Sequence, residues 1–214
     1  MLQFVREIPI SIVIEGASSA RRGFLFHLAA GFSKDVNPLS GMTVNLMLVD
    51  KWLGGLKTSL EQDIFISKSD SLSHAFAEIL AVTRLNLIER AEAEAEQATL
   101  VSLSFREERG WSFSWNDKIS PENMIVKYSQ FLEAFLQERE QFALLKADFS
   151  WLRVLDCEAD FSHESFKVVK NLSASGFSEL TQKLSLEIGK KVDSGSFLES
   201  VTVHNLTERF SLTL

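Results

Sequence analysis

The chain has 214 residues, 45% of them hydrophobic and 24% charged, with 22 Lys+Arg against 29 Asp+Glu and a net charge of −7. That acidic balance argues against broad binding of a phosphate backbone, which needs a concentrated positive surface, and the single cysteine, Cys157, cannot form an internal disulfide. With no basic start ahead of an apolar core and no apolar run near the roughly 18 residues that span a bilayer, a cytoplasmic protein without membrane or nucleic-acid partners is expected.

In chain order, Ile8 to Glu15 is β-branched and bounded by Gly16, Ser18 and Ser19, which reads as a strand. Gly23 to Phe32 is a second strand, and the short link predicts an antiparallel hairpin. A turn at Asn37-Pro38-Leu39-Ser40-Gly41 leads to helical spacing at Val49, Trp52, Leu53, Leu56 and Leu60, weakened by Gly54-Gly55. A long helix is predicted from Ser71 to Glu96, with caps among Ser69, Asp70 and Ser71 and an apolar side of Phe76, Ile79, Leu80, Val82, Leu87 and Ile88. LVSLSFRE and GWSFSW alternate as two further strands around Gly110.

Beyond residue 117, Ser120 as N-cap and Pro121 at the first helical position predict a helix carrying Met124, Tyr128, Phe131, Phe135 and Phe142. Extended segments at Trp151–Cys157 and Ser165–Val169, a helix at Phe177–Lys191 and a closing hairpin of ESVTVHNL and RFSLTL complete the reading. The expected class is α+β, an antiparallel sheet with helices packed on one face. The expected domains are 1–118 and a shortened half at 119–214 that echoes the first, a degenerate tandem repeat. The composition sets 17 Phe and 4 Trp against 4 His and 1 Cys: much material for a core and few groups for chemistry.

GFSKDVNPLSGMTVNLMLVDKWLGGL resembles the 6-pyruvoyl tetrahydropterin synthase family, which includes 6-carboxytetrahydropterin synthase. Gly31, Gly41-Met42, Val44-Asn45-Leu46 and Lys51 keep the family's order. Leu60-Glu61-Gln62 meets its Leu-Asp-His, Ser71 to Glu96 its long second helix, and Leu103 to Glu107 its strand ending in glutamate. The resemblance covers roughly residues 5–117 and implies the T-fold, two helices on a four-stranded antiparallel sheet. It also implies a place near tetrahydrobiopterin or queuosine biosynthesis.

The family's lyase chemistry resembles work on a dihydroneopterin triphosphate, with three histidines on zinc. Counting back from Gly31 puts its His-x-His at Ser19 and Arg21, and no histidine precedes His27. Three donors at roughly 2.0–2.3 Å cannot be assembled there, so no zinc cofactor is expected. The loop that should carry a nucleophilic cysteine has none, and Cys157 reads as a small core residue. Gln62 stands where the general-base histidine would be, leaving Glu61 as the one weak acid–base candidate.

Glu107 is the family residue that survives. Its position is that of the carboxylate that grips the amino-pyrimidine edge of a pterin, two oxygens matching adjacent N–H donors in one plane; a solvated charge beside a turn is the competing reading. Asn205 holds the corresponding place in the second half. His74 and His163 read as exposed and unengaged, and His204 as a packed or surface imidazole. Asp156, Glu158, Asp160 and Glu164 read as a solvated acidic loop whose spacing also suits a divalent cation.

The expected function is a non-catalytic relative of the pterin synthases, binding a pterin or purine-like molecule or serving assembly. A zinc-free lyase and a purely structural oligomer subunit are the alternatives. Homo-oligomers joined through unpaired sheet edges are expected.

Overall fold

The computed structural model describes residues 2–35, 45–70, 72–93, 98–107, 110–154, 172–189, 196–206 and 210–214. Cys157, His163, the acidic cluster, the segment 165–169 and the Gly41-Met42 motif lie outside the described residues.

Two long strands, β1 (Leu2–Glu15) and β2 (Arg21–Lys34), pair antiparallel along their whole length. Period-2 alternation places Ile10, Ile12, Ile14, Phe26, Leu28, Ala30 and Phe32 on one buried face. Helix α1 (Leu46–Gln62) starts at Asn45, whose Oδ1 accepts from the Met47 N–H at 3.1 Å, and buries Val49, Trp52, Leu53 and Leu56. The short strand β3 (Phe65–Ile66) runs parallel to the end of β1.

Helix α2 (Leu72–Ala93) follows, burying Phe76, Ile79, Leu80 and Leu87, whereas Val82, assigned to its apolar side, is 51% exposed. Asp70 Oδ1 accepts from the Ser18 N–H (2.8 Å) and hydroxyl (2.7 Å), tying the β1–β2 turn to the start of α2. The Ser18 N–H, with the Ser18 hydroxyl next, holds this exposed carboxyl below its ordinary range. Strands β4 (Thr99–Glu107) and β5 (Trp111–Asn116) then extend the sheet from β2.

The region after residue 117 departs from expectation. No helix begins at Ser120. The Asn123 N–H instead donates to the Ser120 carbonyl at 3.0 Å, which makes Pro121 the second residue of a turn. Ser-Pro opens helices and turns alike, because the fixed φ of proline suits both. Residues Asn123–Leu136 form β6, paired antiparallel along its length with β7 (Gln141–Val154). Met124, Val126 and Tyr128 alternate into the core, but Phe131 and Phe142, expected on a helix's apolar side, are 66% and 75% exposed on the opposite face. Phe135 shares that face, its ring 5.2 Å from that of Phe142.

The remaining elements are β8 (Leu172–Ala174), parallel to the end of β6, then α3 (Phe177–Gly189), β9 (Ser196–Asn205) and β10 (Phe210–Thr213). The sheet runs β10-β9-β7-β6-β5-β4-β2-β1-β3, with β8 beside β6. Each half thus carries a hairpin of 14-residue strands, a short parallel strand on the end of the first of them, a helix after it, and two closing strands, with α1 additional in the first half. The expected boundary at 118 falls in the β5–β6 connection, yet the sheet is continuous across it. β5 and β6 pair through Trp111–Ser114 and residues 125–128.

All three described helices pack on one face, where a single core spans both halves. An aromatic series runs beneath them: Phe26 edge-on to Phe76, Phe76 stacked on Phe113 at 4.1 Å, Phe113 against Trp111, and Trp111 against Tyr128 and Trp151. No described helix is long and apolar enough to cross a membrane.

Candidate functional site

Because the three described α-helices share one face, no described helix lies on the other face of the sheet, and the polar phase of each strand is displayed there. Register fixes who meets whom. His27 stands opposite Arg106, Arg106 opposite Ser112, Ser112 opposite Lys127, Lys127 opposite Ser150 and Ser150 opposite Ser200. One transverse row thus draws on six strands. The next rows bring Ser129, Asp148 and Thr202 together, then Phe131, Lys146 and His204. This face borders a cavity of about 960 Å³, a volume within the range of small-molecule sites.

Two carboxylates organise its ends. Glu7 Oε1 accepts from Arg106 at 2.8 Å and lies 3.1 Å from His27 Nδ1. Asp148 accepts from the Ser129 hydroxyl (2.6 Å), Lys146 Nζ (3.0 Å) and His204 Nε2 (2.8 Å). Burial pushes the Asp148 carboxyl up, but those three hydrogen bonds and the Lys146 charge together outweigh it and hold the group below the ordinary carboxylate value. A depressed folded-state value stabilises the protein above the unfolded value of about 3.9 and is lost as pH falls through the folded one. Asp148→Asn is therefore expected to lower the urea midpoint at pH 7, with the difference closing below about pH 4. Urea melts at pH 7, 4.5 and 2.5 check this; an equal deficit at all three would show that the charge is not the cause.

Glu107 ends β4 opposite Phe26 and is only 8% exposed, so it is not a solvated turn residue. It lines the cavity with Gly110 and Trp111, where the chain turns out of β4 into β5. Gly110 makes that turn at φ +101°, its N–H donating to the Glu107 carbonyl and its own carbonyl accepting from Ser129. Asn205, at the end of β9, is 1% exposed.

Glu61 lies elsewhere. From α1 its Oε1 accepts from the Ser11 N–H of β1 at 3.0 Å, with Lys57 Nζ at 3.7 Å, and it takes no part in the cavity lining. The structure therefore does not bring Glu61 and Glu107 together. His74, expected to be unengaged, sits 3.5 Å from Glu78 on α2. His204, expected as a packed or surface imidazole, instead binds Asp148, a link that depends on β7–β9 register and that the sequence does not show. The polar phase of each strand signalled which residues share a face, but not which of them meet.

The positions that correspond to the family's zinc ligands do not suit a metal. Ser19 occupies the β1–β2 turn at φ 63°, and the Arg21 guanidinium pairs with Glu15 at 2.5 Å. A guanidinium is a permanent cation and offers no lone pair to zinc. Among the described residues no three His, Cys, Asp or Glu side chains are grouped to hold a metal ion. No family model matches the chain, and no curated protein matches it.

Proposed function

We propose that the chain is a tandem T-fold protein of the pterin-synthase type that binds a planar amino-pyrimidine ring, pterin or purine, at Glu107 without performing the zinc-dependent lyase reaction. The observation that carries this reading is Glu107 itself, a nearly buried acidic residue at the end of a strand and among the residues that line the cavity. A carboxylate's two oxygens match paired ring N–H groups in one plane. The recurrence of hairpin, short parallel strand, helix and two closing strands supports the tandem T-fold reading.

Assembly into homo-oligomers belongs to the same proposal. Among the described residues β3 pairs only with the last two residues of β1, so the outer edge of β1 over residues 2–13 has no strand beside it. Such an edge invites a second copy.

Thermal unfolding with phosphate-free pterin and guanine tests the ring site. Ligand at about 100 times its dissociation constant should add about 2.7 kcal/mol, a rise in Tm of several degrees. Glu107→Gln should abolish most of that rise. An equal rise in the variant, or none in the parent with either ligand, would remove Glu107 from the role.

A further inference from the structure

The transverse row at the centre of the open face has a chemistry of its own. Lys127 and Ser112 stand directly opposite each other across the β5–β6 ladder, and among the described residues neither side chain has a hydrogen-bond or ion-pair partner. Of the cations on either side, Lys146 is paired with Asp148, and Arg106 gives one guanidinium nitrogen, Nη2, to Glu7. Among the described residues Lys127 thus has no ion-pair partner, and it lies in the lining of the concavity, flanked across the ladders by Ser112 and Ser150.

We propose that this point is a binding site for a small oxyanion of two or more charges, seated on Lys127 and the Ser112 hydroxyl, with Arg106 reaching it from two strands away. Four observations carry the site. The cavity lining holds three cations, Arg106, Lys127 and Lys146, against two carboxylates, Glu107 and Asp148, in a chain where acids outnumber bases 29 to 22. Asp148 is already occupied by Ser129, Lys146 and His204, so it does not compete for Lys127. Adjacent strands lie about 4.8 Å apart, which puts Arg106 and Lys127 roughly 10 Å apart at the backbone, within joint reach of one anion. An ammonium with a hydroxyl donor beside it then supplies charge-assisted hydrogen bonds to an oxyanion. Ser150, whose hydroxyl donates to Glu199 at 3.1 Å, can add a further donor by rotating about χ1.

The site is separate from the ring anchor: Lys127 and Ser112 stand opposite each other in the β5–β6 ladder, whereas Glu107 lies at the end of β4, beyond its last pair with β5. Phosphate esters and polycarboxylates both present this chemistry, so pyrophosphate and citrate are the probes. Calorimetric titration of the full chain at low salt should give saturable binding of at least one of them. Binding of both assigns the site to charge alone, and binding of pyrophosphate only assigns it to phosphoryl groups. Lys127→Gln should weaken binding at least tenfold, with the fold checked by circular dichroism. Lys57→Gln, which removes the same charge from α1, should leave it unchanged. No saturable binding of either probe, or equal weakening by the two substitutions, overturns the proposal. Neither probe carries an aromatic ring and the Glu107 ligands carry no phosphate, so the two readings fail independently.

Discussion

Replacing Trp111 by alanine is expected to remove about 3–5 kcal/mol of stability, the range for truncating a large buried aromatic side chain. Trp111 is 7% exposed, and its ring meets Phe113 of β5, Tyr128 of β6 at 4.5 Å and Trp151 of β7 at 5.9 Å. It therefore joins the core of the first half to that of the second where the ladder between them is short. For domains with a total of 5–15 kcal/mol, such a loss is a large share. Urea unfolding followed by fluorescence and by far-ultraviolet dichroism measures it. Both probes should report one transition in the parent. A loss under about 1 kcal/mol, or well-separated transitions in the parent, would mean that the halves do not share a core.

The second large effect is expected at Gly110. Its φ of +101° is one that L side chains rarely adopt, and a Cβ there would meet the Ser129 carbonyl oxygen at 2.6 Å. The obstacle is backbone, not the end of a flexible side chain, so it cannot step aside. Strain and forced displacement together put Gly110→Ala at roughly 2–5 kcal/mol. Gly54 gives the contrasting result: it lies within α1, a Cβ there meets nothing within 4 Å, and alanine should stabilise the protein by about 0.5–1 kcal/mol. Differential scanning calorimetry of the two variants checks both signs. Near-equal melting temperatures would show that the β4–β5 turn can rearrange.

What was legible in the sequence followed the cleanness of its period. Ile8-Pro-Ile-Ser-Ile-Val-Ile alternates visibly, and β1 buries Ile10, Ile12 and Ile14. The same period runs through Met124, Val126 and Tyr128, but it is followed by Phe131, an apolar residue on the solvent side, and by LEAFLQEREQ, a run of good helix formers. Local propensity pointed to a helix, and pairing with the full length of β7 overrode it. The strand motif ending at Glu107 could be placed from sequence because strand and turn adjoin there. The grouping of Ser129, Lys146, Asp148 and His204 could not, because three strands contribute and a one-residue slip in any of them would turn its side chains away.

The short ladder between β5 and β6 has a mechanical meaning. Both 14-residue hairpins are zipped along their length, while the line between 111–114 and 125–128 is the briefest junction along the path from β1 to β9. Amides on that line are the ones that should exchange with solvent first when the sheet breathes, ahead of those inside either hairpin. Arg106 and Ser112 lie on one bank of it and Lys127 on the other, so an anion gripped from both sides acts as a stitch, and its occupancy sets how stiffly the two halves move as one.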